Sequence, residues 1–215
     1  GNILFKNISY SYNDINKVLS NISLEINNKD HILIRGPSGC GKSTLLKMIN
    51  RTIYDYKGNI TISGINVKDY SLNTLRNNIL YVSQRERLFN DTILNNIILD
   101  KKVSKDELNK VLHITMVDEI INEKSLRLES ILYDQGFNLS GGERQRIILA
   151  RSVLRRPKIL LLDESLSEID KEKELKILNE LDKYLKETTI IYVSHTDTIC
   201  FNKIIEMEDI LNVKV

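Results

Sequence analysis

"GPSGCGKST", Gly36 to Thr44, decides how this chain is read. It fits the pattern G-x-x-x-x-G-K-[S/T] in full, through Gly36, Gly41, Lys42 and Ser43. With glycine near 7% and the other positions at ordinary usage, a chance match is on the order of 1 in 100. Context sharpens it: the apolar run "HILIRG" leads in and the helical run "TLLKMI" leads out. Glycines at these places let successive N–H groups turn inward as a nest around phosphates. Ser38, Gly39, Cys40 and Thr44 complete the nest. Lys42 sets a point charge against the β and γ oxygens of a nucleotide, and the Ser43 hydroxyl is offered to Mg²⁺. A plain glycine-rich strand–helix turn explains less of this.

Outward from the loop, the pattern changes character by region. The first thirty residues alternate: Ile8, Tyr10 and Tyr12 share one face, as do Ile22, Leu24 and Ile26, with "NNKD" as the following turn. That predicts antiparallel sheet with one wet face. "HILIRG" and "ILYVSQ" are nearly continuous apolar runs, the mark of buried strands, and "GNITISG" alternates again. From Arg85 to Phe137 strand signals mostly vanish. "TILNNIIL" and "SKDELNKVLHI" read as helices, the second opened by Ser104 and Glu107 in capping-box spacing. Strand and helix then alternate: a helix from about 141, "KILLLD", a helix over about 171–186, "TIIYVSH" and "KIIEM". The fold class expected is α/β, a P-loop core of mostly parallel sheet flanked by helices. An N-terminal antiparallel β subdomain and a helical subdomain are expected with it. The whole of 1–215 reads as one domain, with 1–84 and 157–215 as core and about 85–156 as helical subdomain. In such sheets the ligand lies at the carboxyl ends of the strands.

Bulk properties agree. The 215 residues hold 41% apolar and 28% charged side chains, ordinary for a soluble globular protein. Lys+Arg 31 against Asp+Glu 29 leaves +2, so no global field favours nucleic acid or anionic lipid. No apolar run approaches the ~20 residues that span a bilayer. Cys40 and Cys200 make no disulfide framework, which favours a reducing compartment. The start at Gly1 reads as a cloning scar on a domain cut from something longer.

The acid side of the chemistry comes from "KILLLDE". Asp163 ends a buried strand, at the edge of the sheet that carries the phosphate loop, and there orients a Mg²⁺ hydration shell. Glu164 beside it polarises an attacking water. His195 closes "IIYVSH" at the same edge, placed for a γ-phosphate, whereas His31 and His113 read as structural. Gln84 ends "ILYVSQ" in the same way, its amide oxygen within reach of the metal; a polar strand end accounts for it nearly as well.

One stretch resists a purely local reading. "NLSGGERQRI", 138 to 147, starts a helix with Ser140 and Glu143 in capping-box spacing, yet places Gly141 and Gly142 in its first turn. Each glycine costs a helix about 1 kcal/mol relative to alanine. Bare backbone at a helix N-terminus suits the close approach of an anion.

Together these residues resemble the nucleotide-binding domain of ATP-binding cassette proteins, and the match spans nearly the whole chain. "GPSGCGKST" is similar to the Walker A loop, Gln84 to the Q-loop glutamine, "LSGGE" to the signature, "ILLLDE" to Walker B with its catalytic glutamate, and His195 to the switch histidine. The resemblance implies ATP and Mg²⁺ as ligands, with Lys42, Glu164 and His195 catalytic and Ser43, Gln84 and Asp163 on the metal side. It implies that Tyr12, or its rival Tyr10, stacks on adenine, and that Ser140, Gly141 and Gly142 cap a γ-phosphate held by a second subunit. Half of a two-fold, head-to-tail dimer then accounts for two phosphate-cradling helix starts beside one loop. "SEID", Ser167 to Asp170, stands where the family has "SALD"; Asp170 is kept and Glu168 adds a charge.

"SQRERLFNDTILNNI" resembles exporter-type domains, and "QGFNLSGGERQRI" resembles bacterial peptide and bacteriocin exporters. That implies a transmembrane domain in the parent transporter, a homodimer or an equivalent partner domain, and a place on the cytoplasmic face of the membrane for a fragment itself soluble. The alternative is a soluble ATPase of the same superfamily acting on nucleic acid or a protein complex, but no segment has room for long coiled-coil heptads. Arg144, Arg146, Arg151, Arg155 and Arg156 read as a solvated helix face rather than a nucleic-acid surface. No N-K-x-D guanine reader is present, and Glu164 disfavours a binding module without turnover.

Overall fold

Two asparagines interrupt the alternation of the N-terminal strands. In β1 (Ile3–Ser11) Ile3 and Phe5 are buried, then Ile8, so the inward face passes from odd to even positions. The passage falls at Asn7, whose φ is 52, beside a shift in register against β2 (Lys17–Ile26). In β2 the buried residues are Leu19, then Ile22 and Ile26, with Asn21 at φ 53. Asparagine is among the few residues that enter the left-handed region readily, and an extra residue there makes a bulge. Each displaced N–H finds a serine: Asn7 donates to Ser23 Oγ at 3.1 Å and Asn21 to Ser9 Oγ at 2.9 Å.

The computed structural model describes residues 1–13, 17–194, 201 and 203–211. Two sheets are present among the described residues. The antiparallel one has the order β2-β1-β4-β5, with β4 (Lys57–Ile62) and β5 (Ile65–Asn66). The other joins β3 (His31–Arg35), β6 (Ile79–Ser83), β7 (Ile159–Asp163), β8 (Thr189–Val193) and β9 (Lys203–Glu206) in the order β6-β7-β8-β3-β9. Its β7-β8-β3-β9 pairings are parallel, and every residue of β7 and β8 is buried, as their unbroken apolar runs require.

These elements fall into two compact units: Gly1–Tyr81 with Lys158–Asp163 and Lys186–Val215, and Val82–Pro157 with Glu164–Leu185. In the first, Phe5, Leu19, Leu46, Ile60, Leu161 and Ile191 belong to one core that joins both sheets to α1 (Lys42–Ile49). α2 (Leu72–Asn78), capped by the Ser71 hydroxyl, belongs to this unit as well. The second unit is helical: α3 (Ile93–Ile98), α4 (Lys105–Ile114), α5 (Val117–Glu123), α6 (Gly141–Leu154) and α7 (Lys171–Tyr184). α6 packs on α3, α4 and α5, and α4 also packs on α7. A short α8 (Met207–Leu211) follows β9.

Caps fall where the sequence places them. Ser104 Oγ accepts from the Glu107 N–H at 3.2 Å, and Ser140 with Glu143 forms the full reciprocal box, at 3.2 and 2.7 Å. The arginines of α6 do not form a wholly solvated face. Arg146 is 5% exposed and Arg151 9% exposed. Arg146 donates to the Met116 carbonyl at 2.9 Å; Arg151 donates to the carbonyl and side-chain oxygens of buried Asn96, at 2.7 and 3.0 Å. A guanidinium with fixed acceptors cross-braces buried backbone that water does not reach.

Candidate functional site

Gly41 ends the phosphate loop and begins α1. Its φ is 103, and a Cβ there would lie 2.7 Å from Leu19 Cδ2, so conformation and packing both demand glycine. The next residue, Lys42, is 3% exposed. Its ammonium arches back over the loop and donates to the carbonyls of Gly36 at 2.7 Å and Pro37 at 2.9 Å, with Cys40 Sγ at 4.0 Å. Ser38 and Gly39 form the exposed tip. The loop is thus wrapped around its own cation.

Ser43 faces the end of β7. Its hydroxyl donates to Asp163 Oδ1 at 2.7 Å, and the Tyr81 hydroxyl donates to Asp163 Oδ2 at 2.5 Å. Asp163 is 7% exposed, so a buried carboxylate is satisfied on both oxygens. Thr44 is buried, and its hydroxyl shares a 3.1 Å hydrogen bond with the Tyr12 hydroxyl. The Tyr12 ring is 59% exposed and stands edge-on to Tyr10, 4.9 Å between centroids. The first unit therefore brings together Tyr12, the loop from Gly36 to Thr44, and Asp163.

The second unit carries another group. Ser140, Gly141 and Gly142 form the capped start of α6. Gln145, one turn on, accepts from the Glu168 N–H at 3.0 Å, while its own buried amide nitrogen has no hydrogen-bond partner among the described residues. Exposed Gln84 lines a cleft of about 470 Å³ with Gly141, Arg144, Gln145 and Glu168. Glu164 takes φ 51, a left-handed conformation that a non-glycine residue rarely adopts and that clusters at functional sites. Asp170 is exposed at the N-cap of α7 without a side-chain capping bond. His195 lies outside the described residues. Tyr81 was not legible as a site residue, because its role depends on β6 lying next to β7; the one signal was a hydroxyl within an otherwise apolar run.

A glycine loop between a buried strand and a helix, with an enclosed lysine and a serine–carboxylate pair, defines a P-loop nucleotide-binding domain. The profile of the ABC transporter family matches residues 19–167, and the chain belongs to that family. It is 39% identical over 199 residues to an ATP-dependent lipid A-core flippase of Pasteurella multocida, covering 91% of this chain and 34% of that protein. It is 37% identical over 199 residues to multidrug resistance protein pgp-1 of Caenorhabditis elegans, covering 91% of this chain and 15% of that protein. A solved structure of a bacterial Atm1-family ABC exporter with ATP bound matches with a TM-score of 0.82 at 30% identity, over 91% of this chain and 34% of that one. The chain spans about a third of the length of the first, or less for the second. The ATPase class and the α/β fold expected from the motifs are those of this family, and the solved relative is itself named as an exporter. None of these three relatives is named for a peptide cargo.

Proposed function

We propose that this chain binds ATP with Mg²⁺ and hydrolyses it as one half of a head-to-tail, ATP-induced dimer, which drives export through the transmembrane domain of a parent transporter. The partner is a second copy or an equivalent domain, and the seat is the cytoplasmic face of the membrane. Residues 1–215 act as one ATP-binding domain whose part from about 85 to 156 is the helical subdomain. The observation that carries the reading is the Ser43–Asp163 hydrogen bond at the mouth of a loop folded around Lys42. That pair suits a hard divalent cation: a hydroxyl and a carboxylate oxygen, 2.7 Å apart, with the remaining positions left to phosphate and water.

Bound Mg²⁺ would neutralise charge developing on the β and γ oxygens. The rest is done by side chains. Lys42 exchanges the Gly36 and Pro37 carbonyls for phosphate oxygens, and Ser43 keeps its proton on Asp163 while its lone pairs face the cation. Gln84 contributes an amide oxygen on the metal side. Glu164 takes the proton of the attacking water, and His195 contacts the γ-phosphate. Tyr12, tethered through Thr44, stacks on the adenine. Ser140, Gly141 and Gly142 close the site of the other subunit, where Asp170 helps the two subunits communicate. The similarity of "QGFNLSGGERQRI" to peptide and bacteriocin exporters supports a peptide as cargo.

Glu164→Gln tests the hydrolytic reading. The variant should bind ATP and form a stable dimer by size exclusion, with turnover reduced about 10²–10⁴-fold. Near-normal hydrolysis would remove Glu164 from this role.

A further inference from the structure

We infer that Tyr81 is a positioning residue for the metal-side carboxylate: its hydroxyl holds one oxygen of Asp163 and so reserves the other for the cation beside Ser43. The inference rests on the nucleotide reading above. Tyr81 is the middle residue of β6, a neighbour of the strand that Asp163 ends. Its ring is partly buried against the core, and its hydroxyl reaches Asp163 Oδ2 at 2.5 Å. That length lies within the range of O–H···O⁻ bonds to an ionised acceptor.

A carboxylate turns easily about its terminal torsion, which is broad and roughly two-fold. The Ser43 hydroxyl alone does not choose between the two oxygens. With the phenol on Oδ2, the carboxylate is held on both sides, and Oδ1 is the oxygen beside the serine hydroxyl. Partners of this kind fix the direction in which a ligand presents its lone pairs, and losing one typically costs about 10–100-fold in metal affinity.

Tyr81→Phe keeps the ring in the core and removes only the hydroxyl. In a Glu164→Gln background, ATP binding is measured calorimetrically in EDTA and then across a Mg²⁺ titration, with Mn²⁺ as a paramagnetic probe of the bound cation. Binding in EDTA should match that of the Tyr81 protein. Half-saturation in Mg²⁺ should rise by about 10-fold, with an altered Mn²⁺ resonance line. Adding Tyr81→Phe to Asp163→Asn should change neither reading further. An unchanged Mg²⁺ dependence, or an equal further loss in the Asp163→Asn chain, would overturn the role of Tyr81 while leaving the nucleotide site standing. Failure of the Tyr81 protein to bind ATP at any Mg²⁺ would overturn the nucleotide reading and this inference with it.

Discussion

The carbonyl oxygen of Glu168 stands against the open side of Gly142: a Cβ built on that glycine would lie 2.6 Å from it and 3.3 Å from Ile169 Cα. At Gly141 a Cβ would instead run into the Glu168 carboxylate, the free end of a flexible side chain. The Gln145 side chain, accepting from the Glu168 N–H at 3.0 Å, ties the same two segments. The turn "LSGG" and the segment "SEID" are therefore packed backbone to backbone. Gly142 has a reason to be bare inside its own chain, besides any phosphate brought by a partner. The Glu168 carboxylate lies over the first turn of α6, where the helix dipole favours a negative charge.

Gly142→Ala should accordingly destabilise the nucleotide-free chain by about 1–3 kcal/mol, the usual cost of forcing atoms into a packed site. Gly141→Ala should cost distinctly less, because only the Glu168 side chain must turn away and alanine favours the helix. Glu168→Ala should remove most of the cost that remains at Gly141, where only Glu168 Cβ stays close, and leave that at Gly142. Urea denaturation of the native chain, the three single variants and the two that combine Glu168→Ala with each glycine change checks this; equal costs at the two glycines would sink it.

Much of the fold was legible because its signals are local. The phosphate loop, the apolar strands β7 and β8 and the capped starts of α4 and α6 are each written within about ten residues. What escaped depends on pairing at a distance. The alternation of β1 gives no warning that Asn7 reverses the inward face, since a bulge exists only relative to the facing strand. Arg146 and Arg151 look like any solvated arginines until Met116, just before α5, and Asn96 of α3 supply acceptors. Tyr81 and Asp163, 82 residues apart, meet only once the strand order is known. Motifs disclose the groups that do chemistry, whereas the groups that hold them in place are disclosed by packing.

Tyr12 is fastened to the phosphate loop through Thr44, whereas Tyr10 packs against the core and stands edge-on to the Tyr12 ring. Since stacking is indifferent to which purine is present, Tyr12→Ala should weaken ATP and GTP alike. Tyr12→Phe should keep the stacking face and lose only the tether, a smaller effect. Tyr10→Ala should do little. A nucleotide titration ranking Tyr10→Ala above Tyr12→Ala would show that the other tyrosine carries the base.

Glu86 gives the second unit a pH dependence. Burial raises its carboxyl above the ordinary range, against the opposing charges of Arg151 and Arg155. A carboxyl that holds its proton more tightly in the folded chain makes folding less favourable as pH rises from the unfolded pKa through the folded one. Glu86→Gln removes that penalty. The variant should exceed the native chain in urea stability at about pH 7, and the difference should close below the unfolded value near pH 4. A native chain that gains on the variant as pH rises would contradict the direction.

The packing of Gly142 also decides how the dimer must be tested. A substitution there would disturb Glu168 and Ile169 whether or not a partner's phosphate ever arrives. Gly141→Asp combined with Glu168→Ala is cleaner, since the two nearest atoms in the way belong to the carboxylate removed, and only Glu168 Cβ stays close, at 3.3 Å. It sets a carboxylate at the start of α6 to repel an incoming phosphate. Lys42→Ala does the opposite, disabling a chain's own loop and leaving its signature turn intact. Neither variant alone should assemble a working site. Mixed equally, about half of the dimers contain one of each, and each such dimer has one complete site, so up to roughly a quarter of the native sites return. If hydrolysis requires both sites at once, turnover stays silent, so the readout is pairing of differently labelled chains, both also Glu164→Gln. Heterodimers that form only with ATP, while neither variant pairs with itself, are the expected result. No heterodimer at any ratio, under conditions where the chain carrying Glu164→Gln alone dimerises, would mean that the signature turn does not serve a partner's nucleotide.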